Sequence, residues 1–174
     1  CIVEPGVSFF DLYDELRRRN TRLQASQPAP GWGSPIGNAL DHGRGGPAGD
    51  NFRNACGMEV VLGTGELLRT GMGALPLGKT WATFPDGVGP TLDGIFSQSN
   101  FGIVTKMGFR LMPQPEHYRN GVVTVPKRRD LIQLVRSVNY LSDSSLMGMA
   151  TYGSPLFALM RNKDFRDTVT KRGG

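Results

Sequence analysis

The sequence has little cysteine, little histidine and no long apolar run, which are the features of disulfide-rich, zinc-binding and membrane-spanning proteins. Its 174 residues include only two cysteines and two histidines. Two cysteines are too few for a disulfide framework, and neither residue type has the spacing of a zinc site, so we predict no metal. No run of about 18 apolar residues occurs, and we therefore predict no membrane span.

The chain begins at Cys1 rather than at a methionine. We therefore expect the true N-terminus to lie upstream, so that the lack of a targeting segment carries no information. The expected location is the cytoplasm, with the periplasm as the alternative.

The net charge of +5 raises the alternative of a basic binding module. The basic residues are concentrated at residues 17–19, at residues 127–129 and in the C-terminal tail. No aromatic residues that would stack on bases are interleaved with them. We predict solvated faces at these positions and no nucleic-acid partner.

The first hundred residues show short elements separated by many glycines and prolines. Residues 1–4 read as a strand, and Ser8 followed by Asp11 predicts a capping box. The helix that starts there has an apolar face, formed by Phe9, Leu12, Tyr13 and Leu16. Residues 21–50 show little periodicity and are predicted to lack regular structure, and a long segment of this kind is usually functional. Residues 58–62 and 66–70 predict a hairpin around Gly63-Thr64-Gly65, and Cys56 is predicted to be a buried thiol.

Residues 89–112, GPTLDGIFSQSNFGIVTKMGFRLM, are central to the pattern. Pro90 suits the first turn of a helix, and Leu92, Ile95 and Phe96 follow at helical spacing. Gly102 ends this helix, and residues 103–111 read as a core strand. The Asn100-Phe101-Gly102 turn brings backbone N–H groups close to whatever lies beside the sheet.

Pro113-Gln114-Pro115 predicts a stiff linker and a domain boundary. Residues 1–115 then form one domain, and residues 116–174 begin a second that is too small to bury a good core alone. In the second domain we predict a strand at 122–125, an amphipathic helix from near Pro126, a further strand at 146–151 and a frayed end at 168–174.

Three stretches resemble the vanillyl-alcohol oxidase and p-cresol methylhydroxylase family of flavoproteins. They are CIVEPGVSFFDLYDEL at the start, CGMEVVLGTGELLRTGMGALP at 56–76, and GPTLDGIFSQSNFGIVTKMGFRLMP at 89–113. The resemblance implies an α+β fold: the second part of an FAD-binding domain, without its pyrophosphate loop, followed by the start of an α+β cap domain.

The same resemblance implies roles for particular residues. Asp41, in ALDHG, falls on an acidic position beside flavin N5, and its alternative is a loop aspartate that caps a turn. The implied FAD contacts are Ser34, Gly37, Asn38, Asp50, Gly102, Ile103 and Val104. The loop before Asp50 is shorter than in the family, which leaves the role of Asp50 open. Gly57 and Glu59 either support the residues that contact the cofactor or have a structural role only. His42 either orients Asp41 or faces solvent.

For the complete protein the resemblance implies FAD-dependent oxidation of para-substituted phenols by hydride transfer through a quinone methide. The implied electron acceptor is oxygen or a cytochrome c subunit, and the full-length protein is expected to be a homo-oligomer. The chain alone is not expected to turn over. The alternatives are a non-catalytic remnant of an FAD domain and the basic binding module.

Overall fold

The computed structural model describes residues 1–45, 49–118, 121, 123, 125, 127–144, 146–147, 167 and 171. Close contacts divide the chain into two compact units, Cys1–Thr124 and Val125–Gly174. This division falls nine residues after the linker chosen from the sequence. The functional assignment of the two domains remains a prediction.

A four-stranded antiparallel sheet forms the centre of the first unit. Its strand order is β1 (Ile2–Val3), β7 (Gly102–Phe109), β5 (Ala55–Leu62) and β6 (Leu67–Arg69). The hairpin predicted around residues 63–65 joins β5 to β6. The register of β5 on β7 shifts near Gly57, whose φ is +77°. Such a shift increases the local bend of the strand.

Helix α1 (Phe9–Arg18) follows β1 and has the predicted capping box. The Ser8 Oγ accepts from the Asp11 N–H, and the Asp11 carboxylate accepts from the Ser8 N–H at 2.9 Å. Phe9, Leu12 and Leu16 are buried, whereas Tyr13 is about half exposed. The buried stripe is therefore narrower than the sequence pattern suggested.

The expectation of little regular structure between residues 21 and 50 is wrong. This segment holds β2 (Leu23–Gln24), α2 (Pro35–Leu40), β3 (Arg44–Gly45) and β4 (Gly49–Asp50). Strand β2 pairs with β8 (Met112–Pro113), and β3 pairs with β4. These elements have six residues or fewer, too few for periodicity to reveal them.

The helix predicted after Pro90 is a single 3-10 turn, Asp93–Phe96. Phe96 is buried, but Leu92 and Ile95 remain 43% and 48% exposed, so the predicted apolar face contributes only one core residue. Strand β7 follows as predicted and ends at Phe109, two residues earlier than expected. Its inward side chains join the core, which consists of Val3, Ile36, Ala39, Ala55, Met58, Val60, Phe96, Val104, Met107 and Phe109.

In the second unit a 3-10 turn, Arg128–Asp130, leads into α3 (Leu131–Asp143), close to the predicted helix. The predicted strands at 122–125 and 146–151, and the predicted frayed end at 168–174, lie largely outside the described residues. No helix in the described ranges is long and apolar enough to cross a bilayer.

Candidate functional site

The site predicted from the sequence is centred on α2, whose start is defined by local side-chain chemistry. Ser34 is the N-cap, and its Oγ accepts from the Gly37 N–H at 3.4 Å. Pro35 occupies the first turn, where its missing N–H has no cost. Gly37 is exposed, and a Cβ added there would meet only the Ser34 Cβ, at 3.8 Å. The surface at Gly37 is therefore open to a ligand.

Asn38 belongs to a network of amides that the sequence did not reveal. The fully buried Asn51 donates from Nδ2 to the Asn38 Oδ1 at 2.6 Å and to the Ser26 carbonyl at 3.0 Å. A Cβ on Gly43 would collide with the Asn38 side chain, and one on Gly45 would meet the Ser26 carbonyl oxygen at 2.5 Å. The glycines of β3 and of the turn before it thus allow two polar segments to pack closely.

Asp41 is the C-cap of α2 and is exposed. Gln98 donates from Nε2 to the Asp41 Oδ1 and to its carbonyl oxygen, both at 3.3 Å. The Gln98 N–H also donates to the Leu40 carbonyl at 2.9 Å. The turn after Phe96 is therefore docked on the end of α2.

Asp50 has more polar contacts than Asp41. Its Oδ1 accepts from the Phe52 N–H at 2.9 Å, which caps the 3-10 turn Asn51–Asn54. Its Oδ2 lies 3.0 Å from the His42 Nδ1. Burial raises the pKa of Asp50, but the hydrogen bonds from His42 and Phe52 outweigh burial and hold the pKa below its ordinary value of 3.8.

His42 was expected either to orient Asp41 or to face solvent, and the structure shows a different partner. The structure pairs His42 with Asp50, eight residues away, rather than with the neighbouring Asp41. The other ring nitrogen, Nε2, lies 3.3 Å from the Ser97 Oγ. No spacing rule connects these three positions, because it is the pairing of β3 with β4 that brings Asp50 next to His42.

Gly102, Ile103 and Val104 lie on β7, opposite Leu62, Val61 and Val60 of β5. Val104 is a core residue, whereas Ile103 is 72% exposed. In the described part of the chain, β1 pairs β7 only at Met107 and Gly108, which leaves the same edge open at Gly102. In the described residues, no side-chain hydrogen bond joins these three residues to the group around Asp50. Their predicted backbone contact with FAD remains a prediction.

Of the two residues left open, Glu59 has a clear structural role. Arg69 and Lys106 both form ion pairs with it, at 2.7 and 3.4 Å. Position 57 requires glycine for two reasons. Its φ is positive, and an added Cβ would lie 2.6 Å from the Thr70 carbonyl oxygen. Among the residues that the structure describes, no group of three or more His, Cys, Asp or Glu side chains could hold a metal ion.

No protein-family model matches the chain. It is 44% identical over 147 residues to the 4-cresol dehydrogenase [hydroxylating] flavoprotein subunit of Pseudomonas putida, covering 83% of this chain and 28% of the relative. It is 36% identical over 149 residues to 1'-carboxy-chondrochloren decarboxylase of Chondromyces crocatus, covering 84% and 27%.

Solved structures agree with these matches. The structure of p-cresol methylhydroxylase with substrate bound aligns with a TM-score of 0.73 at 44% identity, covering 80% of this chain and 28% of that one. The 4-ethylphenol oxidase from Gulosibacter chungangensis, in its isoeugenol complex, gives 0.71 at 40% identity, covering 80% and 27%. The chain is a homologue of the vanillyl-alcohol oxidase and p-cresol methylhydroxylase flavoproteins. It spans a little over a quarter of these relatives' length, and its α+β fold agrees with theirs.

The donor set in this homologue suits a flavin. The polar edge of an isoalloxazine ring alternates hydrogen-bond donors and acceptors, and side-chain amides can match either kind. Asn38 supplies such an amide next to the open surface at Gly37, and the buried Asn51 holds its Oδ1 in place. The buried Ser26 hydroxyl lacks a hydrogen-bond partner within the part of the chain that the structure describes, and buried polar groups normally have one. The cluster thus retains polar capacity for a ligand.

Proposed function

We propose that a protein of the relatives' full length containing this chain is an FAD-dependent oxidoreductase that oxidises para-substituted phenols. The observation that carries the proposal is the 44% identity over 147 residues to a flavoprotein subunit named for 4-cresol. A relative named for 4-ethylphenol supports the same substrate class. Substrates with 4-alkyl, eugenol-like or vanillyl-alcohol-like groups are the ones to test.

When bound, the flavin would supply at N5 an acceptor for a hydride from the benzylic carbon. Loss of this hydride and of the phenolic proton would give a quinone methide, which addition of water or loss of a further proton resolves. In this proposal Asp41 contributes a carboxylate that stabilises positive charge or accepts a proton from the attacking water. Its exposed position at the end of α2, held by Gln98, leaves it accessible to a substrate.

Ser34, Gly37, Asn38 and Asp50 are proposed to contact FAD from the α2 side, and residues 102–104 from the edge of β7. The open surface at Gly37 and the amide network at Asn38 support the first group. The strand edge left unpaired in the described residues supports the second, because alternate backbone groups there point away from β5.

The electron acceptor is proposed to be oxygen or a cytochrome c subunit. One relative is named a flavoprotein subunit, which fits electron transfer to a partner subunit, and another is named an oxidase, which fits oxygen. Homo-oligomerisation and a cytoplasmic, or alternatively periplasmic, location complete the proposal.

Two alternatives can be tested with the same protein. The relative named as a decarboxylase makes loss of CO2 from a carboxylated substrate a second candidate reaction. The basic binding module has weaker support, because Glu15 pairs with Arg18 at 2.7 Å and with Arg19 at 2.6 Å. These hydrogen bonds lower the pKa of Glu15 to about 2 and partly neutralise the cluster at residues 17–19.

The test is to extend the sequence from its source gene to the relatives' length and to record the visible spectrum of the purified protein. Adding a 4-alkylphenol without oxygen should bleach a flavin spectrum. No bleaching with any para-substituted phenol would contradict the proposed reaction, and CO2 release from a carboxylated phenol would favour the second candidate. The 174-residue chain, tested alongside, should not turn over. Salt-sensitive binding of nucleic acid would favour the basic module.

A further inference from the structure

The His42 imidazole connects three segments that are distant in sequence. Its Nδ1 lies 3.0 Å from the Asp50 Oδ2 on β4, and its Nε2 lies 3.3 Å from the Ser97 Oγ in the turn after Phe96. The ring packs on Phe52, with centroids 4.8 Å apart and planes at 45°. Both ring nitrogens and one ring face are thus engaged by protein groups, although the side chain is 41% exposed.

The backbone at His42 adopts a conformation that residues with a Cβ rarely take. Its φ is +51°, in the left-handed region where glycine and asparagine are most at ease. The end of α2 requires this conformation, because the His42 N–H donates to the Ala39 carbonyl at 3.0 Å and the Gly43 N–H donates to the Asn38 carbonyl at 2.7 Å. A strained histidine at a position where glycine would be relaxed points to a use for its side chain.

The hydrogen bonds of Ser97 determine which atom donates to which. The Ser97 Oγ lies 3.0 Å from the Gly94 carbonyl, closer than it lies to His42. Since a hydroxyl has one proton, donation to Gly94 leaves the Oγ as an acceptor for an Nε2–H. The Asp50 carboxylate accepts an Nδ1–H on the opposite side of the ring. Each ring nitrogen therefore faces a possible acceptor, the Asp50 carboxylate on one side and the Ser97 hydroxyl on the other.

The charges around this group favour that arrangement. Asp50 faces His42 directly, Arg53 lies near the same carboxylate, and Asp41 and Arg44 flank the turn in sequence. The Asp50 Oδ1 is already held by the Phe52 N–H. His42 therefore fixes the second oxygen and with it the plane of the carboxylate.

We propose that His42 is a positioning residue, which orients the Asp50 carboxylate towards the flavin site and connects it through Ser97 to the turn docked on α2. The effect of His42 on catalysis rests on the proposed function. The hydrogen-bonded arrangement of His42, Asp50 and Ser97 does not depend on that function.

The first test uses the 174-residue chain, labelled with ¹⁵N-histidine and studied by NMR. His117 is exposed and is the chain's only other histidine, so it serves as an internal reference, with His117→Asn to assign the signals. We expect both His42 nitrogens to show shifts that differ from those of His117, because both are within hydrogen-bonding distance of a protein oxygen. Asp50→Ala should move the Nδ1 signal and Ser97→Ala the Nε2 signal, while His117 stays unchanged. Nitrogen shifts of His42 that match those of His117, or that neither variant moves, would overturn the arrangement.

The second test uses the full-length holoenzyme with His42→Asn, since asparagine tolerates the left-handed backbone. We expect flavin content and KM to stay near wild type, while the rate of flavin reduction falls about tenfold to a hundredfold because a misplaced group loses alignment. The pH profile of that rate should also change shape. His42→Gly relaxes the backbone at this position. It should show the same fall in the rate of flavin reduction, without a loss of folding stability.

The outcomes separate the two hypotheses. If the wild type fails to reduce its flavin with phenols but the NMR result holds, the proposed function fails and the arrangement stands. If the wild type is active and His42→Asn keeps the same rate and pH profile, the positioning role is overturned. Rate loss explained wholly by lost flavin would also overturn it.

Discussion

Glu59 and Arg69 face each other across β5 and β6, and two nitrogens of Arg69 donate to one oxygen of Glu59. The Nε and Nη2 atoms lie 2.9 and 2.7 Å from the Glu59 Oε2. The other oxygen, Oε1, accepts from the Thr105 Oγ1 at 3.1 Å. Glu59 is 5% exposed, so this carboxylate is held on both sides within the sheet. The Arg69 guanidinium also lies 5.4 Å from the centre of the Trp81 ring, which extends the contact to the following loop.

Glu59→Gln should lower the free energy of unfolding by about 1.5–3 kcal/mol at pH 7, because it removes the charge from several charge-assisted hydrogen bonds. Hydrogen bonds from Arg69, supported by Thr105 and Lys106, lower the pKa of Glu59 from 4.5. The stabilisation is therefore present above pH 4.5 and is lost as the pH falls through the lower folded pKa. Denaturant unfolding at several pH values measures it. Glu66→Gln on the exposed turn is the control, and equal effects of the two variants would contradict the prediction.

Asp93 should show the opposite dependence on pH. Burial raises its pKa above 3.8, although Thr70 and the Gly57 N–H oppose this shift, and its Oδ1 has no hydrogen-bond partner among the described residues. A raised folded pKa favours the protonated acid, so stability is lost as the pH rises through that pKa. Asp93→Asn should therefore be more stable than the wild type at pH 7, by an amount that shrinks below pH 3.8. Asp14→Asn on α1 is the control. A loss of stability at pH 7 for Asp93→Asn would show that its charge is stabilising.

The sequence predicted the elements whose signals are local. The capping box of Ser8 and Asp11 and the hairpin around residues 63–65 depend on residues three or four positions apart, and both are present. The helix predicted after Pro90 was longer than the observed 3-10 turn. Leu92 and Ile95 have helical spacing, but the described part of the chain does not cover them. Spacing alone does not show which apolar residues become buried.

The candidate site depended on contacts that no local pattern contains. His42 and Ser97 lie 55 residues apart, and Asn51 reaches back 25 residues to Ser26. The family resemblance supplied a role for Asp41 but no partner, because the partner, Gln98, is 57 residues away. Such pairings arise from the path of the chain through the sheet.

Gly57 offers a test that separates backbone strain from steric collision. Gly57→Ala combines a positive φ with a Cβ placed 2.6 Å from the Thr70 carbonyl oxygen, and we expect a loss of about 3 kcal/mol. Gly65→Ala has a positive φ of +86° and open space, so about 1 kcal/mol should be lost. Gly63→Ala has neither feature and should stay within about 0.5 kcal/mol of wild type. Thermal unfolding of the three variants should reproduce this order, and an equal loss for Gly57→Ala and Gly65→Ala would show that the strand moves to accept the Cβ.

The rate of flavin reduction in the full-length protein can distinguish the roles of Asp41, at the end of α2, and Asp50, on β4. If Asp41 is the acid beside N5, Asp41→Ser should slow reduction by about a hundredfold while changing substrate binding much less, because the lost interaction acts mainly on the transition state. Gln98→Ala, which removes only the hydrogen-bond partner of Asp41, is the matched control and should have a smaller effect.

Asp50→Ser provides the comparison that decides between them. Asp50 has a lowered pKa and two fixed oxygens, features that suit a carboxylate kept ionised at a reaction centre. An unchanged reduction rate in Asp41→Ser would contradict the assignment of Asp41. A large loss in Asp50→Ser with normal flavin content would then transfer the role to Asp50, and His42 would become the residue that orients the reacting carboxylate itself. If both variants lose the same modest fraction of the reduction rate, each carboxylate contributes only to the electrostatic field around the flavin.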